Sequence, residues 1–136
     1  MLKFLIYIDR SYGDFMPIPK KIEHKFEINP LACGQAVLCM LSGLDFDEIF
    51  AMVKTEKETT LKDMKNALKQ LNIGIKNERK EANSISDLPE VSLLSLETPK
   101  CWHWSLYFKG KVYDPEFGIL DNFPNCKRKY YWELFN

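Results

Sequence analysis

The stretch Cys-Gly-Gln-Ala-Val-Leu-Cys-Met-Leu-Ser-Gly, residues 33–43, decides how the rest of the chain is read. Cys33, Ala36, Val37, Met40 and Leu41 recur at the i, i+3, i+4, i+7, i+8 spacing of a helical stripe. Leu38 and Cys39 fill much of the remaining circumference, and a helix that is apolar nearly all round is a buried one. Pro30 stands just ahead of it and Gly43 offers a left-handed C-cap, so the helix is expected over Cys33–Ser42. Its lone Gln35 falls in the first turn. Such a helix has to be covered by other elements, and the flanking sequence supplies them.

On the C-terminal side, Asp45 and Glu48 have capping-box spacing ahead of a helix from about Phe46 to Val53, with Phe46, Ile49, Phe50 and Val53 turned inward. Thr60 and Asp63 repeat the cap before a third helix striped by Leu61, Met64, Leu68 and Leu71, which Asn72 and Gly74 stop. The period then changes. Val91–Leu96 is a short apolar run suited to a buried strand. Residues 102–108 and 111–113 flank Lys109-Gly110 as a hairpin, and the aromatic tail (Tyr130, Tyr131, Trp132, Phe135) predicts a further strand or docking segment. On the N-terminal side, Met1–Ile8 reads as a strand and residues 9–31 as irregular chain broken by Gly13, Pro17, Pro19 and Pro30. Helices followed by an antiparallel sheet predict one α+β domain over residues 1–136.

Composition limits the partners. Nineteen Lys and Arg balance nineteen Asp and Glu, which removes the basic excess that usually announces nucleic acid or an anionic membrane. No apolar run reaches the ~20 residues of a membrane span, and Lys3 interrupts the apolar start too early for a secretory signal. An intracellular, cytoplasmic protein is the expectation. None of the four cysteines (Cys33, Cys39, Cys101, Cys126) forms a C-x-x-C pair, so neither a zinc ribbon nor a thioredoxin motif is present. A zinc set of Cys33, Cys101, His103 and Cys126 has no recognisable spacing. Cys39 reads as core, Cys101 as a loop or packing residue and His24 as solvated. No metal or organic cofactor is implied.

Three side chains suit nucleophilic chemistry. A thiol nucleophile needs a thiolate, a base for its proton and a group that holds the base. Cys33 opens the buried helix, where free N–H groups and the helix dipole favour negative charge. With a two-residue turn at Lys109-Gly110, Phe108 pairs Lys111, Tyr107 pairs Val112, Ser105 pairs Asp114 and His103 pairs Glu116. Alternation then puts His103, Ser105 and Asp114 on one sheet face, with His103 and Asp114 as diagonal neighbours. Trp102, Trp104 and Leu106 belong to the other face.

Asn-Pro-Leu-Ala-Cys-Gly-Gln-Ala-Val-Leu-Cys-Met-Leu-Ser-Gly (29–43) resembles the nucleophile helix of papain-like cysteine peptidases, closest to the bacterial double-glycine-leader (bacteriocin-processing) type and its relatives. Leu-Asp-Phe-Asp-Glu-Ile-Phe (44–50) and the run from Thr59 to Ile73 resemble the two helices that follow. His-Trp-Ser-Leu-Tyr-Phe-Lys-Gly-Lys-Val-Tyr-Asp-Pro (103–115) resembles the family's His and Asp strands. The likeness covers roughly residues 29–118. It implies a minimal papain-like fold, with the central helix packed on an antiparallel sheet, and it implies Cys33 as nucleophile, His103 as base and Asp114 as its orienter. The expected activity is hydrolysis of a peptide or amide bond in a protein or peptide substrate, through a thioester. Deamidation of protein glutamine, acyl transfer on the same triad, or a peptidase-like binding module are the alternatives.

The chain departs from the family's pattern at the oxyanion hole. The family usually has a Gln about six residues before the Cys, and Glu27 stands there. A carboxylate repels an oxyanion unless it is protonated, so Asn29 is favoured over Glu27 as second donor beside the Cys33 N–H.

Overall fold

The computed structural model of the chain describes residues 17–136. The strand expected over Met1–Ile8 and the start of the irregular run lie outside the described residues. Residues 17–32 wind without regular structure into helix α1 (Cys33–Ser42), which Gly43 closes at φ 76°. Helix α2 (Phe46–Val53) starts where Asp45 accepts from the Glu48 N–H. Helix α3 (Leu61–Gln70) carries a complete capping box: Thr60 accepts from the Asp63 N–H, and Asp63 accepts from the Thr60 N–H.

Among the described residues the sheet that follows has seven strands: β1 (Gly74–Ile75), β2 (Lys80–Glu81), β3 (Val91–Glu97), β4 (Trp102–Phe108), β5 (Lys111–Asp114), β6 (Gly118–Leu120) and β7 (Lys129–Phe135). Their spatial order is β1-β7-β3-β4-β5-β6, with β2 also on β7, and every pairing is antiparallel. The fold is α+β. The aromatic tail is more than a docking segment, because β7 lies inside the sheet against β3.

Both sheet faces are covered. On one, Val37, Leu38, Leu41, Ile49, Met64 and Leu68 of the helices pack on Leu93, Leu106 and Trp132. On the other, Leu94, Leu96, Tyr107, Val112 and Tyr131 are roofed by Ile85, Leu88, Leu120 and Phe123. A strand buried on both faces loses polar alternation, which is why adjacent Leu93 and Leu94 serve opposite faces of the sheet. Leu38 and Leu41 are fully buried, as a helix apolar all round requires.

The hairpin follows the expected register from Phe108↔Lys111 to Leu106↔Tyr113, and Lys109 and Gly110 both take positive φ at the turn. Further on it departs. His103 does not pair with Glu116, because the chain leaves β5 at Asp114-Pro115 and turns back through Phe117 to pair Gly118 with Asp114. Pro115 has no N–H with which to extend the sheet.

Candidate active site

Helix α1 packs across β4, and this contact brings residues 33 and 103 together. Cys33 is buried at the first position of α1. Its N-cap is Ala32, which offers no side-chain hydrogen bond. A Ser or Asp there would occupy one of the first-turn N–H groups and add about 1 kcal/mol to helix stability. Ala32 leaves those groups to whatever meets the helix end.

The Cys33 sulfur accepts a hydrogen bond from the Trp104 N–H at 3.4 Å. Strand alternation explains why that N–H is available. Trp104 turns it to the side on which Leu106 meets Tyr113, and two residues further the partner would be Pro115. Instead the Pro115 carbonyl accepts from the Glu27 N–H at 2.9 Å, so β4 has no strand neighbour there. The thiol takes the vacant position.

His103 is buried and lies between Asp114 and Cys33. Its Nε2 is 2.9 Å from Asp114 Oδ1. Burial alone would weaken its hold on a proton, but hydrogen bonds to Asp114 and then to Cys33 outweigh that and raise its pKa to about 10. Asp114 is fully buried. Its Oδ1 also accepts from the N–H groups of Glu116 and Phe117, and its Oδ2 accepts from the Ser105 hydroxyl at 2.9 Å. Burial would raise the Asp114 carboxyl, yet the His103 bond and the two backbone donors hold it below the usual carboxylate range.

Cys33, His103, Glu58, Thr59, Trp102 and Trp104 line a cleft of about 200 Å³. The loop after α2 forms one wall. Gln35, with no exposed surface, donates from Nε2 to the carbonyls of Thr55 and Lys57, and the Trp104 indole donates to the carbonyl of Thr59. Gly34 permits this close approach, since a Cβ there would collide with Thr59 Oγ1 and press on Met64 and Trp104. Exposed Phe26, Ile28, Leu31, Trp102 and Phe117 are concentrated in the segments that carry these site residues.

The two oxyanion candidates separate. Asn29 has both ends of its amide engaged: Oδ1 accepts from the Leu31 N–H, and Nδ2 donates to the Glu56 carbonyl at 3.2 Å. That bridge ties the approach to α1 to the loop after α2, and it gives no support to Asn29 as the favoured donor. Glu27 instead faces His103, Asp114, Glu116 and Lys100. Its Oε1 is buried without a hydrogen-bond partner. Burial raises its carboxyl above the ordinary range, with His103 opposing and Glu116 and Asp114 adding to the rise.

Sequence reasoning did not anticipate the Trp104 N–H, the Gln35 tether or His24. His24 is half-buried rather than solvated, with Nε2 2.7 Å from the Asp114 carbonyl. Pro115 was the available signal for the first, and a single amide on an all-apolar helix for the second. Cys39 is in the core, its thiol pushed up to about 12 by burial, while Cys101 is exposed. Among the described residues no three His, Cys, Asp or Glu side chains converge as metal ligands, so Cys33, Cys101, His103 and Cys126 do not form a zinc set. No helix among them is long and apolar enough to cross a membrane. In comparisons with family models and with curated proteins, the chain matches none.

Proposed function

We propose that the chain is a thiol hydrolase of papain-like type, with Cys33 as nucleophile, His103 as the proton carrier and Asp114 as the group that orients His103. The observation that carries this reading is the buried line Asp114–His103–Cys33, in which the imidazole contacts a carboxylate on one side and the thiol on the other. An imidazole with a pKa near 10 holds its proton at neutral pH and lies against the sulfur, which is the partner a thiol nucleophile needs. The Trp104 N–H donates to the sulfur and would favour negative charge as it develops there.

In the reaction, the thiolate attacks the carbonyl carbon of a peptide or amide bond, and the Cys33 N–H donates to the developing oxyanion. The His103 proton passes to the leaving nitrogen as the C–N bond breaks and a thioester remains. A water then gives its proton to His103 as it attacks the thioester, the acid is released, and the proton restores the pair. A cleft of about 200 Å³ is below the usual range for an enclosed small-molecule site. Together with the exposed Phe26, Ile28, Leu31, Trp102 and Phe117, it favours a peptide segment laid across the surface.

The test is mass spectrometry of a protein mixture treated with the wild type or with Cys33→Ala. New chain termini that need Cys33 support hydrolysis. Gains of about one dalton at glutamine, with no new termini, would reassign the same triad to deamidation. No Cys33-dependent change would leave a binding module.

A further inference from the structure

We infer that the cleft at Cys33 selects a lysine or arginine side chain on the residue whose carbonyl is attacked, and that Glu58, Trp102 and Trp104 make the selection. The inference rests on the thiol-hydrolase reading of Cys33 and His103 and names the substrate class of that site.

Charge is the first argument. Glu58 is the only carboxylate that lines the cleft, and His103 is the only group there able to carry positive charge. The His103 charge is answered inside the protein by buried Asp114 at 2.9 Å. Glu58 is exposed, and among the described residues no cation pairs with it. Lys100, beside the lining residue Cys101, pairs with Glu116 at 3.3 Å. The cleft therefore presents one unanswered negative charge, and an ammonium or guanidinium group answers it.

Position is the second. Glu58 stands between two pinned residues. The Lys57 carbonyl accepts from Gln35 Nε2 at 2.7 Å, and the Thr59 carbonyl accepts from the Trp104 indole at 3.0 Å. Thr59 is buried while Glu58 is exposed, so the chain alternates here and leaves Glu58 on the open side of the wall. A carboxylate carried on a tethered backbone loses less conformational freedom on meeting a ligand than one on a loose loop.

The aromatic walls are the third. Trp102 and Trp104 line the same cleft, and Trp102 keeps 49% of its surface exposed. Trp102 stacks on Tyr130 at 5.8 Å, and Arg79 lies 4.0 Å over that Tyr130 ring, so the protein already rests a cation on this aromatic stack. Indole faces attract ammonium and guanidinium groups. The apolar stem of a long basic side chain packs on such rings while its charge reaches a carboxylate at the rim. About 200 Å³ is small for a whole small-molecule ligand and suits a single side chain. Because Cys33 lines the same cleft, that side chain is the one beside the attacked carbonyl.

The experiment measures p-nitrophenolate release from the p-nitrophenyl α-esters of N-benzyloxycarbonyl lysine, norleucine and glutamate. The Cys33→Ala rate is subtracted, and each remainder is divided by the ester's spontaneous hydrolysis. Norleucine has the lysine chain without its amine, so the lysine-to-norleucine ratio reads the charge alone. Wild type is expected to favour lysine about tenfold, and glutamate should be the poorest of the three. Glu58→Gln should cut the lysine preference to about threefold, and Glu58→Lys should place glutamate ahead of lysine. Trp102→Leu should also lower the lysine-to-norleucine ratio, by about threefold. Raising salt from about 0.05 M to about 0.5 M should narrow the wild-type preference more than that of Glu58→Gln. Lysine and norleucine esters that react alike in wild type, or a Glu58→Lys variant that keeps the wild-type order, would overturn the inference while the triad stands. If release from all three esters is as fast in Cys33→Ala as in wild type, the thiol-hydrolase reading itself fails and the inference falls with it.

Discussion

Asp114 shows how much one buried carboxylate can be asked to hold. It orients His103, receives Ser105 and closes the turn through the N–H groups of Glu116 and Phe117. Asp114→Ala should therefore do more than slow turnover. It leaves several buried donors unpaired, and a loss of about 3 kcal/mol in urea unfolding is expected beside a rate loss of about a thousandfold. The gentler Asp114→Asn separates the two effects and carries a pH signature. Because His103 has its pKa raised in the fold, its contribution to stability is complete below its ordinary value, near 6.5, and is lost as pH rises through about 10. The lowered Asp114 carboxyl contributes above its ordinary value and is lost as acid protonates it. Wild-type Tm should decline between about pH 7 and pH 10, and Asp114→Asn should flatten that decline. A wild-type Tm that does not change over the same window would contradict the buried pair. At the thiols, alkylation near pH 6 should be led by Cys33, whose sulfur lies against the protonated His103 ring and the Trp104 N–H. Cys39 should stay unlabelled, buried and with its thiol pushed up to about 12. Labelling led by exposed Cys101 would count against Cys33 as the nucleophile.

At the scale of elements, the helices were legible because each carries its punctuation, Gly43 for α1, Asp45 for α2, and Thr60 with Asp63 for α3, although α3 ends at Gln70 and leaves Leu71 of the expected stripe as its C-cap. Strands β3 and β4 were legible from apolar length and from the Lys109-Gly110 turn. The strands β1 and β2 were not. Two residues cannot display alternation, and Lys80 and Glu81 are exposed, so no apolar pattern marks them. The loop between α2 and α3 was silent for another reason. Its order comes from outside it, through Gln35 and Trp104. Gln35→Leu should leave the Thr55 and Lys57 carbonyls without their amide donor and cost about 2 kcal/mol in chemical denaturation. Amide exchange in residues 55–59 should rise more than in β3, which does not touch that side chain. Equal change in both would mean that the amide serves general packing rather than the cleft wall.

Across the whole molecule, the pairing of His103 with Asp114 could be read from one hairpin, but their meeting with Cys33 could not. Seventy residues separate Cys33 from His103, and only the packing of α1 on β4 closes that distance. The position of β7 was equally hidden, since an aromatic tail carries no information about which gap it fills. Its place between β1 and β3 makes it indispensable. Removing residues 129–136 would uncover Leu93 and Leu94 and detach β1 and β2, and the shortened chain should lack a cooperative melting transition by circular dichroism. A folded truncation product would show that β7 is an addition rather than a core strand. The same arrangement governs the order of events during synthesis. The ribosome delivers β3 well before β7, so the growing chain carries an open inner edge of apolar residues until its last strand emerges. For that interval, seconds at ordinary translation rates, Val91–Leu96 is the segment a chaperone would hold and an aggregate would recruit.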